Sequence, residues 1–461
     1  MNKILLSLII PLLFTNMGFP QDILQVPAVA GTDTLKKAVQ QAEAMGISII
    51  ELITNGGLYV TKGSPKIQIH TPLTIRAAAN LSEKPVIQNH NTDTNTRMLF
   101  EIMDGGSLIL KGLDLDGISD SDTPAKYLIR TDDDPQAGAT GISVDNPYVL
   151  KVFDCYLHDV ISGSDGNFFR AYKYTFADSV IFHNCILENS GKEGIRLKEY
   201  YDVEGYGFYQ VNYFEVTNCT FLNTNKDGIV VYAGDNNSQT SCPKIFINHC
   251  TFNNCGYNGS RAINAWDCDG ANVKNCNITN SPTNDYSVKL YGSNSTISYS
   301  NLFNVAELKL VRDAQQGFGM MSVDPLYTDL WNGDLTLSTD SPLLGQADDG
   351  LAIGDPRWDP DYTNIKFKND LKTANNYRLN QNYPNPFNPA TNISFSLKHS
   401  GRTKLKLYNI LGRELKIVFD KNMGAGIHTI TFHAIDLPGG IYFYELTSSE
   451  FKAIKKMILI R

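Results

Sequence analysis

Between Val152 and Val311 the chain repeats one pattern of apolar and polar positions. Apolar side chains fall on alternate residues, the period of a strand with one buried face. Five segments share it: Val152–Leu157, Phe182–Leu187, Val216–Phe221, Ile247–Phe252 and Val273–Ile278, each with a Cys at its fourth position. A sixth, Ile297–Leu302, carries Ser300 there instead. The Cys positions are 30, 34, 31 and 26 residues apart, and an Asn follows at Asn189, Asn223, Asn254, Asn280 and Asn304. A further strand follows each copy after a turn: Phe169–Tyr172, Ile195–Lys198, Ile229–Tyr232, Ile263–Trp266, Val288–Tyr291 and Leu308–Val311.

Fixed strand motifs with variable spacing predict coils of constant cross-section joined by turns of variable length. This is a parallel β-helix, in which equivalent residues of adjacent coils stack about 4.8 Å apart. A propeller needs four strands per period, which 26 to 34 residues with these turns do not hold. A helical solenoid would need a period of 3.6. The Cys ladder then fills the interior as small hydrophobes. Asp33–Met45 places Leu35, Val39 and Ala42 on one face and predicts a helix capping the apolar end. Earlier coils are predicted around Ile49–Leu52, Ile67–Ile69, Leu73–Ile75, Leu99–Ile102 and Leu108–Leu110. From Ile393 onward, alternating segments separated by Gly-rich turns predict a small β-sandwich. The fold class is therefore all-β: a right-handed parallel β-helix with an N-terminal capping helix, then a C-terminal sandwich.

Composition adds an asymmetry. The 461 residues are 42% hydrophobic and 19% charged, with a net charge of -8. Leu379–Arg461 holds eleven Lys/Arg against five Asp/Glu, or +6, which leaves -14 for the rest. An acidic body argues against nucleic acid as a bulk partner. Met1–Asn2–Lys3 followed by apolar Ile4–Phe14 reads as a secretory signal peptide, too short to span a bilayer. The predicted divisions are a signal peptide at 1–21, a β-helix at 22–363, a linker at 364–376 and a sandwich at 377–461. The mature protein is expected to be exported, monomeric and without a membrane span. Five of the eight Cys form the ladder; Cys242, Cys255 and Cys268 fall outside it, and one pair among them is open.

Leu35–Gly57 resembles the opening coil of pectate-lyase-like β-helix proteins. Asp324–Trp358 resembles the closing segment of secreted bacterial members. Asn382–Asn388, Leu411–Arg413, Gly439–Tyr442 and Lys455–Met457 resemble the C-terminal sorting domain of the type IX secretion system. That resemblance implies a bacterium of the Bacteroidetes group or its relatives, export across the outer membrane, and the secretion machinery as a partner.

Candidate chemistry lies on the outward face of the last strand of each coil. One column reads Arg170, Arg196, Val230, Asn264, Lys289 and Lys309. Two residues on, it reads Tyr172, Lys198, Tyr232, Trp266, Tyr291 and Val311. Aromatic rings stack on sugars and cations pair with uronate carboxylates, so an acidic polysaccharide is the expected partner. Tyr172, Tyr232, Trp266, Tyr291, Lys289 and Asn264 are the candidate binding residues. Lys192–Glu199 loosely resembles the active coil of the chondroitinase B-like and alginate lyase family. The resemblance implies Lys198 as base, Arg196 or Arg170 as acid or carboxylate clamp, and Glu193, Glu199 and Asp202 as Ca²⁺ ligands. That family places an Arg-His-Gly-like motif on the following coil, where this chain has Asp227–Tyr232. The activity expected is β-elimination on a uronate-containing glycan. The alternatives are a non-catalytic glycan-binding or adhesive protein and, third, a hydrolase or epimerase, for which Asp227, Asp267 and Asp269 lie on neighbouring coils. His158, His183 and His249 read as structural. Asp132–Asp134 could bind Ca²⁺ but reads better as a solvated loop.

Overall fold

The computed structural model describes residues 23–362 and 378–460, except 30–32, 63–65, 91–97, 119–123, 133–141, 143–145, 163–164, 173–174, 199–209, 233–243, 257–258, 282–285, 331–333, 380–381, 383–386, 398–400, 424–425, 435–436 and 449–450. The chain divides into two compact units, Met1–Pro360 and Asp361–Arg461. The signal peptide and the linker predicted from the sequence lie outside the described residues.

The first unit is a right-handed parallel β-helix. Its described strands form three parallel sheets, of eleven, nine and nine strands, and the chain visits them in turn. The six-residue repeat proves to be a corner, not one strand. Tyr148–Phe153 ends in the first sheet, and Tyr156–Val160 begins the second. Between them Asp154 takes a left-handed conformation, φ 55°. Asn184, Asn218, His249, Asn275 and Tyr299 do the same at the equivalent corners, at φ 46–55°. Asn and Asp accept that conformation most readily among residues bearing a Cβ. The next residue, Cys155, Cys185, Cys219, Cys250, Cys276 or Ser300, turns inward and is buried.

The second left-handed ladder runs Asp159, Asn189, Asn223, Asn254, Asn280 and Asn304. Its side chains bond from coil to coil: Asn189 donates to Asp159 (2.7 Å), Asn223 to Asn189 (3.1 Å), Asn254 to Asn223 (2.8 Å) and Asn304 to Asn280 (2.7 Å). One continuous core fills the coils, with Phe182, Phe214, Phe221 and Phe252 wholly buried and Phe221 stacked on Phe252 at 4.7 Å. The helix Thr34–Met45 buries Leu35, Ala38, Val39 and Ala42 in that core at its N-terminal end.

Cys255 and Cys268 are buried free thiols, not bonded to each other. Cys255 stands one rung beyond Thr224 and donates to the Phe221 carbonyl, so it too is interior packing. Cys242 lies outside the described residues. After the last coil, the segment through Asp348 and Trp358 folds back along the corners. Asp348 accepts from Asn275 (2.7 Å), Asp349 meets His249 (3.0 Å), and Asp355 accepts from Thr220 (2.7 Å). His249 is therefore structural, as its position suggested.

The second unit pairs a three-stranded with a four-stranded antiparallel sheet over one core that includes Phe395, Leu405, Leu407 and Tyr444.

Candidate functional site

The third sheet carries the candidate face. Its strands pair so that Gln68, Glu101, Arg130, Arg170, Arg196, Val230, Asn264, Lys289 and Lys309 occupy successive rungs. Alternate residues such as Ile129, Phe169, Ile195 and Ile263 enter the core, so this column faces away from it. The column read from the sequence is thus in register and extends three coils further toward the N-terminus. The sequence predicts the coil of Glu101 but places neither Glu101 nor Arg130 in the column, because their two coils lack the Cys corner motif. Only the alternation in Leu128–Ile129–Arg130–Thr131 could have signalled it.

The second column differs in one place. Tyr232 pairs with Trp266 and Tyr291 with Val311, but Tyr291 pairs with Asp269 and not with Trp266. The strand Ile263–Asp269 shifts register between Asn264 and Asp269, with Asp267 at φ 55°. Such an irregularity re-aims the side chains around it.

Electrostatically, the column has two halves. In the arginine half each guanidinium has its own carboxylate. Arg130 meets Glu101 at 2.8 Å, Arg170 meets Asp165 at 3.0 Å, and Arg196 meets Glu193 at 2.8 Å. Arg170 also donates to the Tyr127 hydroxyl at 2.9 Å. Arg130 and Arg170 both lie over the Tyr172 ring, 4.9 and 4.8 Å from its centroid. Burial would raise the Glu101 carboxyl, but Lys66 and hydrogen bonds from Lys66, Gln68 and Arg130 outweigh it and hold it below its usual range. Glu193 behaves alike: burial raises it, and Arg196 and Asn167 bring it below its ordinary value. Its Oε1 is taken by Arg196, and a cation bound there would have to displace the guanidinium. The other two candidate Ca²⁺ ligands, Glu199 and Asp202, lie outside the described residues, as do Asp133 and Asp134.

In the lysine half, no described carboxylate pairs with Lys198, Lys289 or Lys309. Their ammonium groups lie over aromatic faces instead. Lys198 is 5.7 Å and Lys289 5.0 Å from the Trp266 ring, Lys289 is also 5.0 Å from Tyr291, and Lys309 is 4.9 Å from Tyr286. Tyr232 packs edge-on against Trp266 at 5.3 Å. Cations held over rings keep their charge available to an anion, whereas the paired arginines have theirs largely neutralised.

Beneath this half lies Asp227, 4% exposed. It accepts from the Arg261 backbone N–H (2.6 Å) and from Asn264 Nδ2 (3.0 Å). Burial raises its carboxyl; those bonds and the charges of Arg261 and Lys198 offset the rise only in part. Asn264 is itself buried, its Oδ1 without a hydrogen-bond partner. Asp267 is buried as well and pairs with Arg312 at 3.2 Å.

Residues 381–460 match the family model of the secretion system C-terminal sorting domain. This places the chain among proteins exported by the type IX system to the cell surface or the medium. No helix among the described residues is long and apolar enough to cross a membrane. No curated protein matches the chain. Among solved structures, it is similar to a PL6 family alginate lyase at 18% identity and a TM-score of 0.45, over 68% of this chain and 41% of the lyase. It is also similar to the enzymatically active domain of tailspike protein 4 of bacteriophage CBA120, at 11% identity and a TM-score of 0.32, over 93% of this chain and 67% of that one. The chain thus spans well under half the length of the lyase.

Proposed function

We propose that the β-helix unit binds an acidic polysaccharide across the third sheet and cleaves it by β-elimination. The observation that carries this reading is the lysine half: Lys198, Lys289 and Lys309, held over Trp266, Tyr291 and Tyr286 and without a carboxylate partner among the described residues. Uronate rings present a carboxylate and an apolar face together, and this patch offers a cation and an aromatic face together.

In the proposed reaction Lys289 pairs with the uronate carboxylate and Lys198 takes the C5 proton. The C5–H electron pair forms the C4–C5 double bond as the C4–O bond breaks, and the leaving oxygen takes up a proton. Arg196 and Arg170, tied to Glu193 and Asp165, shape the adjoining subsites and Tyr172 offers a further ring. Ca²⁺ would come through Glu199 and Asp202, and chelation tests that requirement. A hydrolase is less well supported, since Asp227 and Asp267 are both buried and bonded to other protein groups.

The test is incubation of the purified protein with alginate, pectate and chondroitin while the absorbance of the unsaturated product is followed. Activity lost in Lys198→Ala supports the lyase. Binding without product on any of the three favours the second reading, a non-catalytic glycan-binding surface. Val230 is the observation behind that reading, because the rung between Arg196 and Asn264 holds a wholly buried apolar side chain and no cation.

A further inference from the structure

A second cluster lies on the other side of the coil, on the outward face of the second sheet. There Asp114 and Asp116 stand on one strand, and Tyr156 and His158 pair with them on the next. His158 Nε2 is 2.9 Å from Asp114 Oδ1. On the opposite edge of the ring, Nδ1 is 2.8 Å from Asp159 Oδ2 and 3.9 Å from Asp116 Oδ1. The ligand atoms of Asp116, His158 and Asp159 all lie within 4.8 Å of one another. Ligands sharing one Zn²⁺ or Mn²⁺ at about 2.1 Å are separated by up to about 4 Å, so small side-chain shifts close the set.

We infer that Asp116, His158 and Asp159 form a binding site for a divalent transition-metal cation of the Zn²⁺ or Mn²⁺ type. Three observations besides the proximity of the acids carry this. The first is the imidazole. An oxygen-only cluster suits Ca²⁺ or Mg²⁺, whereas one nitrogen with carboxylates suits a first-row metal.

The second is the surrounding support. Asp114 holds Nε2 and so orients the ring with Nδ1 facing Asp116 and Asp159, where a bound cation would replace the Nδ1 proton. Asp116 is oriented by Gln88 Nε2 (3.0 Å) and the Ile118 N–H (2.8 Å), and Asp159 by Asn189 Nδ2 (2.7 Å). Gly117 permits the approach: a Cβ there would lie 2.6 Å from the Asp159 carbonyl oxygen.

The third is the repeat itself, which provides an internal control. The left-handed rung that is Asn in the five following coils is Asp159 here. The rung occupied by His158 is Glu188 and then Leu222 on the next two strands. His158 and Asp159 thus coincide on the coil that stacks on Asp114 and Asp116, where the next coil has Glu188 and Asn189. A proton on Nδ1 would also bridge to Asp159, and titration with metal tells the two occupants apart.

The experiment uses the EDTA-treated mature protein, with Zn²⁺ and Mn²⁺ titrated calorimetrically and melting followed in parallel. One equivalent should bind and raise the melting temperature. Asp159→Asn restores the residue of the other coils, so the coil should keep its fold while affinity drops at least tenfold. His158→Gln should do the same, and Asp114→Asn should weaken binding about 10- to 100-fold. In the wild type, Mn²⁺ should broaden the His158 ring resonances, a readout independent of any variant's folding. The inference is overturned if neither metal binds, if Asp159→Asn binds as tightly as the wild type, or if Ca²⁺ binds equally well with and without His158.

Discussion

Lys289 Nζ lies 5.0 Å from the centroid of the Trp266 ring, and no described carboxylate pairs with it. Trp266 belongs to the preceding strand, and the two meet although the backbone register slips just after Asn264. The slip breaks the aromatic column expected there, and Lys289 spans it by facing Trp266 and Tyr291 at once.

The first prediction concerns this contact. Lys289→Ala should weaken binding of an acidic glycan about tenfold or more, the scale of one charge-assisted contact at 1.5–3 kcal/mol. Trp266→Ala should weaken it comparably. Affinity measured against salt concentration checks both, since the lysine variant should lower the salt dependence and the tryptophan variant should leave it.

Arg196→Ala should act mainly on stability. It leaves the buried Glu193 carboxylate without its partner at 2.8 Å, a loss of about 3 kcal/mol. The melting temperature should fall, and Glu193→Gln added to it should restore part of the loss. A double-mutant cycle by chemical denaturation measures the coupling.

A third prediction follows from Glu101. Its carboxyl sits below the ordinary value in the folded state, so its contribution is present above the unfolded value near 4.5 and fades as pH falls through the folded one. Glu101→Gln should cost about 3 kcal/mol at pH 7, since Lys66 and Arg130 lose their counter-charge. The gap between variant and wild type should narrow toward pH 3. Denaturation midpoints across that range test it.

The thiols offer a fourth. Burial raises the Cys155 thiol, lifts Cys219 and Cys250 well above the ordinary range, and pushes Cys255 up to about 11. Reactivity belongs to the exposed thiolate. Cys155, Cys185, Cys219, Cys250, Cys255, Cys268 and Cys276 should therefore resist a thiol reagent in the native protein and react together on unfolding. Mass spectrometry of the labelled sites reads this directly.

The β-helix was legible because its constraint is local and repeated. A left-handed corner followed by an inward Cys recurs at Asp154–Cys155, Asn184–Cys185 and Asn218–Cys219, and each copy reports the same small set of allowed conformations. The lining of the third sheet was legible for the same reason, since alternation sets which of Ile195, Arg196 and Leu197 points outward. The sorting domain was legible in short motifs of the tail.

What the sequence could not decide was which charges are free. Arg196 and Lys289 look alike in a column of cations. Whether a cation is neutralised depends on what the coil brings beside it: Arg130 meets Glu101, 29 residues away in the chain and 2.8 Å away in the fold. The His158 cluster is likewise a product of stacking. Asp114 and His158 are 44 residues apart in the chain and 2.9 Å apart in the coil. Period and residue type determined the fold and the facing of its strands. The pairing of charges was left to the tertiary structure, because Coulomb interactions depend on distances across coils that insertions of variable length conceal.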